Sequence, residues 1–155
     1  MFTKYCICCI LDGGFYLYAE ARNIPPNNVT WLLSGLIIPS RVQCLTFWYH
    51  MYGKDINTLI VFQLVGTTWT EIWTTYGNKG KKWNYQILDL KQDIGHYKIV
   101  FTAIRGDGNK GDIALDDILI ANRQCYGKNY WRFVLFQLDK CIQCLFFHWL
   151  VIFKF

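Results

Sequence analysis

The chain has 155 residues, of which 53% are hydrophobic, 18% aromatic and 17% charged. That length gives one domain a proper core and leaves little for a second, and the apolar content excludes an intrinsically disordered chain. The formal net charge of +5 is spread along the sequence rather than clustered, which argues against nucleic-acid binding, and only 3 prolines exclude collagen and polyproline linkers.

In chain order, Met1–Leu11 carries one lysine and a short apolar stretch that Asp12 interrupts. About seven apolar residues is the lower limit of a signal-peptide core, so residues 1–13 read as an unassigned leader. Phe15–Ala21 alternates rings with small or polar residues, Thr30–Ile38 is apolar, and Val42–Met51 is a longer strand. In that strand Leu45, Phe47, Tyr49 and Met51 share one face. Thr58–Val65, Thr70–Thr74, Trp83–Leu90, Tyr97–Ile104 and Ile113–Ile120 follow, separated by glycine-bearing turns at 53–55, 66–68, 77–80 and 106–111. About eight short alternating segments with no helical period predict an all-β, antiparallel sandwich or barrel. The last segment, Tyr126–Phe155, is different in kind. Lys128, Arg132, Lys140 and Lys154 face only Asp139, and the longest uncharged run, Cys141–Phe153, is 13 residues. A membrane helix needs about 20. The tail is expected to lie outside the domain as an exposed, basic, aromatic segment able to associate with a bilayer surface.

Few motifs carry chemistry. Gly106-Asp-Gly-Asn-Lys-Gly111 satisfies GxGxxG, but a strand-like pattern follows where a dinucleotide site needs a helix, so a glycine hairpin is expected. The same stretch departs from a calcium loop, because Asp112 and Ile118 stand where an EF-hand has Gly and Glu. Lys79, Lys81 and Lys82 read as a solvated turn. Cys141-x-x-Cys144 lacks the second half of a zinc site. His50, His96 and His148 are isolated from one another, and His50, between Tyr49 and Met51, reads as a structural hydrogen-bonding residue. No catalytic set assembles, so an enzyme is not expected. The 7 cysteines fall into Cys6, Cys8 and Cys9, then Cys44 and Cys125, then Cys141 and Cys144. The sequon Asn28-Val29-Thr30, in a polar loop, makes Asn28 the candidate glycosylation site. Sequon and long-range cysteines together suggest an oxidising, secretory compartment. Asp112, Asp116 and Asp117 are the most informative charges. Neighbours in a strand point to opposite faces, so either Asp116 or Asp117 is expected to point towards the packed side, tied by a loop N–H or Arg105, or ligating a hard cation such as calcium.

Cys44-Leu-Thr-Phe-Trp-Tyr-His-Met-Tyr-Gly53, Thr58-Leu-Ile-Val61, Arg105-Gly106 and Gly111-Asp-Ile-Ala-Leu-Asp-Asp-Ile118, closing at Cys125, together resemble a MAM domain of the meprin, A5 and mu type. Gly14–Glu20 and Thr30–Pro39 are similar to further strands of that family. The resemblance covers Gly14–Cys125 and implies a jelly-roll-like β-sandwich, with 1–13 and 126–155 outside it. Residues before Gly14 do not resemble the family's opening strand and first disulfide, so the domain is expected to be incomplete at its N-terminus and part of a larger cell-surface protein. The resemblance pairs Cys44 with Cys125 and places Asp116 and Asp117 at the acidic pair near the family's cation site. It implies an extracellular adhesion or recognition module without catalysis, partnered by a protein ligand or another MAM domain. The alternatives are a membrane-associated fragment acting through 126–155 and the accessory domain of an ectoenzyme.

Overall fold

The computed structural model describes residues 2–7, 14–92, 94–125 and 150–152. Their strands are β1 (Phe2–Ile7), β2 (Gly14–Ala19), β3 (Val29–Leu33), β4 (Cys44–Met51), β5 (Ile56–Val65), β6 (Thr68–Tyr76), β7 (Asn84–Asp89), β8 (Tyr97–Arg105), β9 (Ile113–Ala121) and β10 (Leu150–Ile152). They form two five-stranded sheets, ordered β1-β2-β9-β4-β7 and β10-β3-β8-β5-β6. Every ladder is antiparallel. Strands β2 to β9 cross repeatedly from one sheet to the other and give the orders 2-9-4-7 and 3-8-5-6, which is jelly-roll connectivity. The leader and tail contribute edge strands: β1 pairs along β2, and β10 pairs along β3.

The core is built by the alternation read in β4. Leu45, Phe47, Tyr49 and Met51 are buried and meet Leu59 and Val61 of β5, Tyr97, Ile99 and Phe101 of β8, and Ile113 and Leu115 of β9. Phe47 packs edge-on against Phe101 and Trp73, with centroids 5.0 and 5.4 Å apart, the geometry that ring quadrupoles favour. Rings and β-branched residues fill both inner faces, which is why a chain this aromatic folds as a sandwich.

Two segments differ from the pattern read in the sequence. The apolar run expected to continue to Ile38 stops pairing at Leu33. There the Ser34 hydroxyl accepts the Ile99 N–H at 2.9 Å and donates to the Gly35 carbonyl at 2.8 Å. The Ser34 N–H donates to the Ile99 carbonyl at 2.9 Å, and the chain meets β8 again at the isolated Ile37–Tyr97 bridge. The glycine segment 106–111 is no hairpin either, because β8 and β9 lie in different sheets. A two-residue hairpin occurs instead between Val65 and Thr68, where Gly66 has φ 56°, the positive value that tight hairpin turns require.

Candidate functional site

At one end of the sandwich the β8–β9 connection lies against the β4–β5 connection. The Asp55 N–H donates to the Lys110 carbonyl, and the Lys110 N–H donates to Asp55 Oδ2, both at 3.0 Å. A Cβ at Gly106 would overlap the Asp55 carbonyl oxygen, and one at Gly108 the Asp55 carboxylate. The GxGxxG spacing therefore serves a close backbone approach rather than a phosphate cradle. Arg105 Nε donates to the Ala21 carbonyl at 2.6 Å and Nη2 donates to Asn109 Oδ1. Asp112 Oδ1 accepts the Ala21 N–H at 2.9 Å. Asp112 thus ties down a loop through a backbone N–H, as Asp55 does.

Asp116 and Asp117 sit at a bulge. Thr46 of β4 opposes Leu119 of β9, but Trp48 opposes Asp116, so β9 carries one extra residue there. Asp117 takes it up with φ 47°, in the left-handed region that Asp tolerates better than most residues. The inward set shifts from Ile113 and Leu115 to Ile118 and Ile120, and both carboxylates fall off the core side. The expectation that one points inward is corrected: an inserted residue breaks the alternation on which it rested. Asp116 Oδ1 accepts the Asp117 N–H at 2.8 Å. Among the described residues no three His, Cys, Asp or Glu side chains gather as metal ligands would.

The outer face of the first sheet collects rings. Leu17 and Ala19 pack inward, which turns Tyr16 and Tyr18 of β2 outward by alternation. Trp48 and His50 of β4 and Tyr85 of β7 turn outward for the same reason. Trp48 meets Tyr85 at 4.9 Å between centroids. Trp83, just before β7, reaches across the face and touches both His50 at 5.5 Å and Tyr16 at 5.6 Å. His50 also contacts Tyr52 at 6.3 Å. Held by ring contacts, His50 is partly desolvated, which lowers its pKa below the ordinary 6.5. Glu20 closes one end of the face. It accepts from Arg22 Nε at 3.0 Å and from the Tyr18 hydroxyl at 3.1 Å, and the Arg22 hydrogen bond holds its carboxyl below the usual range. The sequence reading passed over this face, although its signal was present: rings at 16, 18, 48 and 50 occupy the parity opposite to the core residues.

At the other end Cys44 and Cys125 form a disulfide with Cα atoms 5.1 Å apart. Beside it lies a polar network. The Tyr97 hydroxyl donates to Gln43 Oε1 at 2.8 Å, and Gln43 Nε2 donates to Asn122 Oδ1 at 2.8 Å and to the Ile38 carbonyl. Asn28 is exposed in the loop before β3, with its Oδ1 accepting the Val29 N–H at 2.9 Å. Lys81 and Lys82 are exposed, and Lys79 lies over the Tyr76 ring. The side chains of Cys6, Cys8, Cys9, Cys141, Cys144 and His148 lie outside the described residues, as does most of the tail.

This jelly-roll architecture places the molecule among two-sheet β-sandwich domains. The model of the MAM domain, meprin/A5/mu, matches residues 10–126. The chain belongs to the MAM family. It is 38% identical over 125 residues to the human MAM domain-containing glycosylphosphatidylinositol anchor protein 2, covering 72% of this chain and 13% of that protein. It is 35% identical over 115 residues to Xenopus laevis neuropilin-1, covering 72% and 12%. The chain thus spans about an eighth of the length of these relatives. Among solved structures it shares its fold with the K1 cleaved adhesin domain of Lys-gingipain from Porphyromonas gingivalis W83. That match has a TM-score of 0.61 at 14% identity and covers 77% of this chain and 82% of that one.

Proposed function

We propose that this chain is an extracellular recognition module that binds a protein ligand at a cell surface and has no catalysis of its own. The observation that carries the reading is the Cys44–Cys125 disulfide, which closes a MAM sandwich across a sequence separation of 81. A bond of that kind persists in oxidising compartments. The exposed sequon asparagine, Asn28, supports the same location. Residues 14–125 form the proposed recognition unit, and Phe2–Ile7 and Leu150–Ile152 add edge strands to it. Calcium at Asp116 and Asp117 is not needed by this reading.

The test is to secrete the chain behind a heterologous signal sequence and to screen it against an array of cell-surface ectodomains. The expected result is a secreted protein with Cys44 linked to Cys125, glycosylated at Asn28, that binds at least one ectodomain. A disulfide-linked, glycosylated protein that binds no ectodomain on the array overturns the reading.

A further inference from the structure

We propose that the outer face of the first sheet docks a basic, extended segment of the partner protein, whose Lys or Arg side chains are held jointly by aromatic rings and carboxylates. This deepens the recognition reading and rests on it. The strand register lays out the face as rows. Tyr18, Ala114 and His50 stand side by side across β2, β9 and β4, with Trp83 against His50. The next row is Asp116, Trp48 and Tyr85, and Tyr16 stands two positions from Tyr18 on β2. Glu20, Asp112 and Tyr52 continue the opposite side beyond the strand ends. Ala114 is the small residue at the centre, with rings on both sides. Tyr52 is 48% exposed and Trp83 37%, and Asp117 is exposed beside Asp116.

The chemistry of this face selects a cation. Ring faces carry negative potential, and the register sets Asp116 opposite Trp48. A Lys or Arg over such a site gains cation–π attraction and a charged hydrogen bond together. Four of the chain's 11 acidic residues, Glu20, Asp112, Asp116 and Asp117, gather here although the chain as a whole is +5. Arg22, at the end of this face, is engaged with Glu20 at 3.0 Å, while Lys81 and Lys82 stand at the margin before Trp83. The rings are already packed, since Trp83 is held between Tyr16 and His50, so little ordering is left for the binding event. Asp112, just before β9, and Asp116 within it are four positions apart, about 13 Å at the usual extended rise. Side chains on one face of an extended segment recur at about half that spacing, so basic residues at alternate positions of a partner match them. A neutral saccharide would stack on the rings but would make no use of the charge.

The experiment uses the full chain and three probes: a labelled peptide of alternating Lys and Thr, its Glu counterpart, and a neutral cello-oligosaccharide. The Lys peptide is expected to bind, more weakly as salt is raised, and the other two are not. Asp116→Asn keeps the oxygen that accepts the Asp117 N–H and removes the charge; it is expected to weaken the Lys peptide about fivefold to tenfold, and Trp83→Ala by a similar factor. Glu71→Gln, an exposed carboxylate of β6 in the second sheet, is expected to change nothing. Should Trp83→Ala fail to fold, carbodiimide coupling of the bound Lys peptide to the wild-type chain decides, with linkage expected at Asp112, Asp116 or Asp117. Absence of binding, equal binding by Asp116→Asn, equal loss in Glu71→Gln, coupling at Glu71, or binding of the saccharide in place of the Lys peptide overturns the proposal. An ectodomain from the array that binds Trp83→Ala and Asp116→Asn as well as the wild type overturns this surface and leaves the recognition reading standing.

Discussion

Tyr97 is fully buried, and its hydroxyl donates to the amide oxygen of an equally hidden Gln43. Burial pushes its phenol up from the ordinary 10.0 to about 12. A raised pKa means that the folded state resists ionisation. The stability this confers is complete below 10.0 and is lost as pH climbs through about 12. In an alkaline ultraviolet titration the last phenol to ionise should therefore vanish in Tyr97→Phe. The same variant leaves Gln43 Oε1 without its donor and should cost about 1–2 kcal/mol in urea denaturation. His50 carries the opposite sign. Desolvation depresses its pKa, so the unfolded chain takes up a proton that the folded chain refuses. Stability should be whole above 6.5 and fall with pH below it. In His50→Phe the loss of melting temperature through that acid range should be smaller.

Elements here depend on local departures from regularity. The β9 bulge needs a residue that accepts a positive φ, and Asp117 supplies it at 47°. Asp117→Gly should stay within about 0.5 kcal/mol of wild type, whereas the β-branched Asp117→Val should cost about 1–2 kcal/mol, read from thermal unfolding. The connections 52–55 and 106–112 depend on missing side chains. Gly106→Ala drives a methyl into the Asp55 carbonyl and should destabilise by about 1–3 kcal/mol. Gly95→Ala, which meets only the end of the Val65 side chain at 3.8 Å, should be far milder in the same measurement.

For the whole molecule, one covalent bond joins the start of β4 to the segment after β9. Its loop, with a sequence separation of 81, stabilises by at most about 4.5 kcal/mol in the chain-entropy model, as much as the net stability of a marginal domain. Cys44→Ser and Cys125→Ser should therefore lower the denaturation midpoint equally, and reductant should bring the wild type to the same value. The sandwich itself was legible from the residues alone, because Leu45, Phe47, Tyr49 and Met51 alternate and period-2 burial is a local property. The family was legible too, since Cys44–Gly53 and Gly111–Ile118 keep their order and spacing. What the residues alone could not decide is non-local. Asp116 and Asp117 leave the core because β9 pairs with β4 out of step by one residue, and register depends on a strand far away in sequence. The triple glycine reads as a turn until Asp55 is brought against it. Tyr16, Trp48, Trp83 and Tyr85 become one face only when β2, β4 and β7 are laid into one sheet. The chain pattern sets which side of each strand is apolar; only tertiary pairing decides which outward side chains become neighbours, because that depends on strand order and register rather than on any residue's own preference.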